Sequence, residues 1–245
     1  MDLQAIPVKV NIVLLVSDRP RLTQQSIVSL VSNTPNDLYN LTVIDDGNQR
    51  FPIEQYLDAT TLKIHKSKHI TGQARNLGIY WAERYWGRGD YLCLSDNDVF
   101  FTPGWLPKLI DALEWGHSHL NVQLVGGWNH LYLQPKDNLQ WTGTQNSNSA
   151  LSMHDAVTGA SQLMHWSTWD QYQPLDAHAV GVGQSEDYAF CQKIIKDGGK
   201  VASIYPRVVL NCGITNTFKQ PSPGADLMLQ ELIAAKRQYP YLIWE

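Results

Sequence analysis

The feature that most restricts the possible folds is the alternation of strand-like and helix-like segments along the first half of the chain. Residues 9–16 (KVNIVLLV) are almost continuously aliphatic, which is typical of a strand buried on both faces. A helix start follows at residues 18–20, and a second apolar run covers residues 41–44. Strands that alternate with helices predict an α/β fold with a mainly parallel sheet and helices on both sides.

Further segments of the first half continue this pattern. Residues 62–65 and 91–94 are predicted as the third and fourth strands. A helix is predicted from Thr71, because a set of apolar residues recurs at helical spacing and should share one face: Ala74, Leu77, Gly78, Trp81, Ala82 and Tyr85. Thr102 and Pro103 predict the start of another helix, which runs toward Trp115.

The second half is less regular, and we expect it to form a smaller lobe. Predicted strands cover residues 122–128, 201–204 and 208–210, and a polar stretch covers residues 129–149. Ser185 is expected to cap a helix that Gly198 ends, and a last helix is predicted over residues 225–237.

Composition excludes several classes of function. The net charge of −4 gives no basic footprint for nucleic acid, and no apolar run approaches the roughly 20 residues that a membrane span needs. The N-terminus lacks the features of a signal peptide. The three widely spaced cysteines suit buried thiols in a reducing compartment. We therefore expect a cytoplasmic protein without a transmembrane segment, and the sequence does not specify its oligomeric state.

Three polar clusters each follow the carboxyl end of a predicted strand. They comprise residues 17–19, Asp45 with Asp46, and residues 95–98. Ligands of open α/β sheets bind beyond the carboxyl ends of the strands, so we expect these clusters to meet at one rim.

The pair Asp96 and Asp98, on either side of Asn97, is the candidate cation site. Both carboxylates can reach one ion only if the chain turns between them. Mg²⁺ and Mn²⁺ prefer such oxygen ligands and are often held by one or two carboxylates together with substrate phosphates. A solvated turn after the strand is the alternative.

The other clusters suggest nucleotide binding and proton transfer. Asp45 and Asp46 can accept hydrogen bonds from a ribose or a base, or they can simply cap a turn. Arg75, near a helix N-terminus, can meet a phosphate or can be a surface charge. Glu186 and Asp187 can supply a general base, or their charges can simply favour the start of a helix.

Five segments together resemble a GT-A fold glycosyltransferase, most similar to the family 2 type. They are VNIVLLVSDRP, LTVIDDGN, GQARNLGIYWA, YLCLSDNDVFFTPGWL and GQSEDYAFCQKIIKDGGKV, in that order. The resemblance covers most of the chain. It implies a donor-binding half over residues 1–120 and an acceptor-binding, catalytic half over residues 121–245.

The resemblance also implies a role for each candidate residue. Nucleotide-sugar contacts would come from the three polar clusters, from the residue before the first cluster, and from the start of the helix predicted at Thr71. These residues are Val16, Ser17, Asp45, Asp46, Gln73, Arg75, Asp96 and Asn97. Asp98 would be the main protein ligand of Mn²⁺ or Mg²⁺, and Asp96 would hold ribose or a metal-bound water. Asp187 would be the base, with Glu186 supporting it or contacting the acceptor.

One position departs from the family pattern. Many relatives have a late His two residues before a Gly, which completes the metal shell. This chain has Asn211 at that position, before Gly213. Either the side-chain oxygen of Asn211 replaces the His, or water fills the position.

The leading hypothesis is therefore an inverting, metal-dependent transferase that moves a sugar from a nucleotide-sugar donor to a carbohydrate or another hydroxyl acceptor. The resemblance favours a UDP-sugar, and a GDP-sugar is possible. A retaining transferase on the same fold, a non-catalytic nucleotide-sugar or glycan-binding protein, and a nucleotidyltransferase are the alternatives. The last expects a Gly-rich loop after the first strand, where this chain has Ser17, Asp18 and Arg19.

Overall fold

A computed structural model describes ten stretches of the chain: residues 9–17, 19–46, 61–66, 70–127, 138–140, 150–176, 185–205, 207–213, 233–234 and 236–243. Strands and helices alternate through these stretches. In chain order they are β1 Val10–Val16, α1 Pro20–Asn33, β2 Tyr39–Asp46, β3 Thr61–Lys66, α2 Thr71–Trp86, β4 Tyr91–Asp96, β5 Val99–Phe101, α3 Trp105–Leu120, β6 Val122–Gly126, β7 Asn138–Gln140, β8 Ala150–His154, β9 Ser161–His165, α4 Trp166–Tyr172, α5 Glu186–Lys196, β10 Lys200–Tyr205 and β11 Val209–Asn211.

Within the described stretches, the main sheet has nine strands in the order β3-β2-β1-β4-β9-β6-β10-β8-β7. β3, β2, β1 and β4 pair in parallel, as β6 and β10 do. β9 is antiparallel to both of its neighbours, and β8 is antiparallel to β10 and β7. The α/β fold with a mainly parallel sheet is confirmed, and strands from both halves of the chain share this one sheet.

β1 lies near the middle of the parallel group, and its sequence explains why. All seven of its residues are buried, because alternate side chains point into two different layers of the core. Ile12 and Leu14 pack in the layer with Trp105 of α3. Val13 and Leu15 pack in the opposite layer, which contains residues of α2 and α5. A continuous aliphatic run is what a strand covered on both faces requires.

The register of β1 brings the predicted polar clusters together. Val16, the last residue of β1, pairs with Asp45 of β2, and Leu15 pairs with Asp96 of β4. Neighbouring strands lie about 5 Å apart. The acidic ends of β2 and β4 therefore flank the end of β1 at one rim of the sheet.

Gly78 allows α2 to lie close against the sheet. A Cβ atom at this position would come within 2.5 Å of Val13 Cγ1 and 2.7 Å of Ile44 Cγ1. Gly78→Ala is therefore expected to lower the free energy of unfolding by about 1–3 kcal/mol through overpacking, although alanine is the better helix former. Urea unfolding measures this change. Arg84→Ala, at an exposed position on the same helix, should change it by no more than about 0.5 kcal/mol. An unchanged free energy of unfolding in Gly78→Ala would contradict the close packing.

The apolar face predicted for α2 is only partly buried. Trp81 and Tyr85 are 39% and 59% exposed. The buried face is centred instead on Gly78, Ile79 and Ala82, because the close approach at Gly78 selects small side chains against the sheet. The large aromatic side chains consequently fall at its margin.

Several predicted boundaries also need correction. Asp45 and Asp46 are the last two residues of β2 and not part of a turn. α3 begins at Trp105. Its N-cap residue is Gly104, two residues after Thr102, which was expected at the N-cap position. The strand predicted over residues 122–128 ends at Gly126, and residue 128 lies outside the described residues. Most of the polar stretch 129–149 and of the helix 225–237 also lies outside them.

Five elements had no counterpart in the sequence prediction: β5, β7, β8, β9 and α4. The three-residue β5 pairs with β11 in a separate two-stranded sheet. The three cysteines are free and buried, as expected from their spacing. Of the helices that the structure describes, none has the length and apolarity needed to cross a bilayer.

Candidate functional site

The first part of the candidate site lies at the ends of β1 and β2. Asp45 and Asp46 are both buried, at 2% and 3% exposure. Lys63 of the neighbouring strand β3 places its Nζ 4.0 Å from Asp45 Oδ2. Ser17 follows Val16 directly and is half-buried, whereas Asp18 lies outside the described residues. Two buried carboxylates therefore lie beside the end of β1.

The second part is the turn that joins β4 to β5. Asp96 ends β4, and Asn97 and Asp98 form the turn. The Asn97 side chain donates hydrogen bonds to the backbone oxygen of Ser17 (2.6 Å) and to Thr23 Oγ1 (2.5 Å). The chain thus turns between the two carboxylates, which is the condition for both to reach one ion, and Asn97 ties this turn to the start of α1.

Asp98 is the carboxylate best suited to bind a cation. Its Oδ2 accepts a 2.6 Å hydrogen bond from Arg19 Nη1, and its Oδ1 is buried with no hydrogen-bond partner among the described residues. Burial and the charge of Asp96 raise the pKa of Asp98 to about 6, against the opposing effect of Arg19. A buried carboxylate oxygen that lacks a donor, with a second carboxylate two residues away, suits a hard divalent cation. The residues present therefore fit Mg²⁺ or Mn²⁺.

Arg75 links the β4 turn to the start of α5. Its guanidinium is buried, with Nη2 bonded to Asp96 Oδ1 and 3.3 Å from the backbone oxygen of Gly159. Nη1 lies 2.9 Å from Glu186 Oε1, although not in hydrogen-bonding orientation. Burial opposes the charge, but Asp96, Glu186 and Asp187 together raise the pKa of Arg75 above its usual range. Arg75 is thus a permanent cation enclosed by three acids.

Gln73 lies on the same turn of α2 as Arg75 and is half-buried. Arg75 Nε and Nη1 have no hydrogen-bond partner among the described residues. Both nitrogens are buried, so the hydrogen-bonding capacity of the guanidinium is only partly used by the described residues.

The third part of the site is the start of α5. Ser185 is the N-cap residue, as predicted, but its hydroxyl bonds to Asp187 Oδ1 and not to the helix backbone. Asp187 also accepts hydrogen bonds from the backbone N–H groups of Tyr188 (2.7 Å) and Gly159 (2.8 Å). Glu186 is buried beside Arg75, and its pKa is raised by burial and by Asp187, with Arg75 opposing. Asp187 is thus held in one orientation while Glu186 faces inward.

Gly159 was not predicted from the sequence as a site residue. Its N–H holds Asp187, its carbonyl accepts from Arg75, and a Cβ atom there would come within 2.2 Å of Arg75 Nη2. Only glycine leaves room for the guanidinium. The sequence signal is weak, since a single glycine shortly before a strand usually marks an ordinary turn.

Asn211, at the end of β11, pairs with Val99 next to the Asp98 turn. Its Oδ1 accepts a 2.9 Å hydrogen bond from the backbone N–H of Gly213. The part of the chain that the structure describes contains no group of three or more His, Cys, Asp or Glu arranged for a metal. The metal role of Asn211 stays a prediction.

Two solved structures resemble this fold. One is GalNAc-T7 with UDP, GalNAc and Mn²⁺, with a TM-score of 0.58, 13% identity and coverage of 81% of this chain and 43% of that one. The other is the mannosyltransferase PcManGT from Pyrobaculum calidifontis with GDP-Man and Mn²⁺, with a TM-score of 0.56, 13% identity and coverage of 80% and 56%. This chain thus spans about half the length of each. No match was found among curated protein sequences.

The sheet order, the flanking helices and these two structural neighbours confirm the GT-A fold expected from the sequence. The chain belongs to glycosyl transferase family 2, whose family model matches residues 12–162, more than half of the sequence.

Proposed function

We propose that this chain transfers a sugar from a nucleotide-sugar donor to an acceptor hydroxyl in a metal-dependent, inverting reaction. The observation that carries the proposal is the line of contacts from Asp96 through Arg75 to Glu186, next to Asp187. It joins the rim that follows the parallel strands to the helix that bears the proposed base. The donor half would comprise residues 1–120 and the acceptor half residues 121–245.

The donor would lie across the ends of β1, β2 and β4. Val16 and Ser17 would contact the nucleoside, and the buried carboxylates of Asp45 and Asp46 would accept hydrogen bonds from its ribose or base. The two similar structures contain UDP and GDP-Man, each with Mn²⁺. We favour a UDP-sugar and keep a GDP-sugar as the second candidate.

Asp98 and Asp96 would hold the divalent cation, with Asn211 as a candidate further ligand. A bound cation neutralises the charge that develops on the leaving diphosphate. Arg75 would add a fixed positive charge on the same side. Asn97 supports this arrangement because it holds the turn between the two carboxylates.

Asp187 would remove the proton of the acceptor hydroxyl as that oxygen attacks the anomeric carbon. Three donors fix its carboxylate, and each carboxylate oxygen has two lone-pair sites, so acceptor capacity remains for a substrate proton. Glu186, turned inward to Arg75, would position the helix start. A retaining transferase becomes the better hypothesis if Asp187 does not face the anomeric carbon.

A non-catalytic nucleotide-sugar-binding protein is the second candidate. The occupied oxygens of Asp187 and the Asn211–Gly213 hydrogen bond are the observations that favour it. Such a protein would bind donor without releasing nucleotide whatever the acceptor.

Asp98→Ala tests the proposed cation role. In wild-type protein, Mn²⁺ is expected to strengthen UDP binding, and the substitution should weaken UDP binding in Mn²⁺ by about tenfold or more, since one coordinating carboxylate is lost. Calorimetric titration of UDP with and without Mn²⁺ measures both effects. Asp111→Ala removes an exposed carboxylate of α3 and should leave them unchanged. Persistent Mn²⁺ enhancement in Asp98→Ala would refute the assignment.

A further inference from the structure

A cationic side chain already binds the carboxylate that we assign to the metal. Arg19 is the N-cap residue of α1 and has a left-handed backbone, with φ 58° and ψ 61°. Its Nη1 lies 2.6 Å from Asp98 Oδ2, with the two side chains 39% and 17% exposed. This is a short charge-assisted hydrogen bond between residues 79 positions apart in the sequence.

Gly213 makes room for this ion pair. A Cβ atom at Gly213 would come within 2.1 Å of Arg19 Nη1 and 2.2 Å of Asp98 Oδ2. The backbone here is held from two sides, by the Asn211 side chain at Gly213 N–H and by the Cys212 N–H, which donates to the Asp98 carbonyl at 2.7 Å. The residues that follow β11 thus pack against one side of the ion pair.

The backbone on the other side of the pair is also fixed. Asn97, next to Asp98, bonds to the carbonyl of Ser17 and to the hydroxyl of Thr23. The backbone oxygen of Arg19 accepts from the Thr23 N–H and hydroxyl, each at 3.0 Å. Both partners therefore project from anchored backbone, whereas most surface ion pairs join freely moving side chains.

We propose that Arg19 sets the affinity of this chain for its divalent cation by competing with the ion for Asp98. This inference rests on the cation role of Asp98 in the proposed function. An ion that binds Oδ2 displaces the guanidinium or shares this oxygen with it, and an ion that takes only Oδ1 remains a few ångströms from a positive charge. Both routes cost free energy, because like charges this close repel strongly when partly shielded from water.

The competing interpretation is that Arg19 only fastens the start of α1. Under that interpretation, its removal lowers stability slightly and leaves cation affinity unchanged or reduced. Competition predicts the opposite sign for affinity. The two interpretations are therefore separated by the direction of a single measured quantity.

The test is Mn²⁺ binding to this chain in the absence of nucleotide, measured from the electron paramagnetic resonance signal of free Mn²⁺. Arg19→Gln is expected to bind Mn²⁺ about tenfold more tightly than wild type, since a positive charge beside the site is removed. Arg21→Gln removes the same charge from an exposed position on α1 and should stay within about twofold. Arg19→Asn is the second variant, because asparagine tolerates the left-handed backbone better.

Equal or weaker Mn²⁺ binding in both folded Arg19 variants overturns the inference, and so does the lack of Mn²⁺ binding in every variant. The proposed function is judged separately, by UDP binding and nucleotide release in protein that keeps Arg19. If the Asp98→Ala variant loses the Mn²⁺ enhancement of UDP binding, the cation role of Asp98 is supported. If the Arg19 variants then do not bind Mn²⁺ more tightly than wild type, only the proposed competition is wrong.

Discussion

Replacing Asp187 by Asn is expected to lower kcat for sugar transfer by about 10²–10⁴-fold, the usual contribution of a general base. The amide has the shape of the carboxylate but cannot accept the proton of the attacking hydroxyl. The dissociation constant for UDP in Mn²⁺ should stay within about threefold of wild type, because the proposed base acts on the acceptor and not on the donor. Steady-state assays of nucleotide release and calorimetric titration of UDP give the two quantities.

The surroundings of Asp187 determine how this variant must be interpreted. The carboxylate accepts from Gly159 N–H on Oδ2 and from Ser185 and Tyr188 on Oδ1. The amide group of Asn turns a donor toward one of these sides, at a cost of about 1–3 kcal/mol. Unfolding in urea must therefore accompany the kinetics.

Ser185→Ala provides the matched control, because it removes one hydrogen bond to Asp187 and keeps the carboxylate. Its kcat should stay within about fivefold of wild type. Near-normal turnover in Asp187→Asn would exclude Asp187 as the base. Parallel loss of turnover and of UDP binding would show instead that Asp187 acts by holding the Gly159 backbone against Arg75.

The acidic rim at the ends of β1, β2 and β4 could be predicted from the sequence, because the sequence signals that indicate it are local. A continuous aliphatic strand predicts burial on both faces, and parallel strands bring their carboxyl ends together whatever their exact order. Asp45, Asp46 and Asp96 are thus found next to Val16 without knowledge of any long-range contact.

The contacts of the site could not be predicted in the same way. Arg75 was correctly placed at the start of α2, but the three acids around it come from two other elements. The position of Gly159 depends on β9, which inserts antiparallel between β4 and β6. Periodicity within a segment contains no information on which distant segment lies beside it, so these contacts required the structure.

Replacing Arg75 by Met is expected to lower the free energy of unfolding by about 3–5 kcal/mol, the usual cost of removing one partner from a buried ion pair. Met fills much of the same volume, so the loss reflects charge more than packing. It leaves Glu186, whose side chain is only 10% exposed, and Asp96 without their shared cation. Urea unfolding at neutral pH measures the change, and Arg84→Met on the exposed side of α2 should cost no more than about 0.5 kcal/mol.

A second substitution separates the charge of Arg75 from its shape. Glu186→Gln removes the most buried of the uncompensated carboxylates, so the Arg75→Met, Glu186→Gln double variant should be more stable than the sum of the single effects by about 1 kcal/mol or more. Additive effects would show that the two side chains do not interact through charge. In that case, Glu186 would not link the β4 rim to α5 through charge, and the start of α5 would be held by packing and by the other contacts of Asp187.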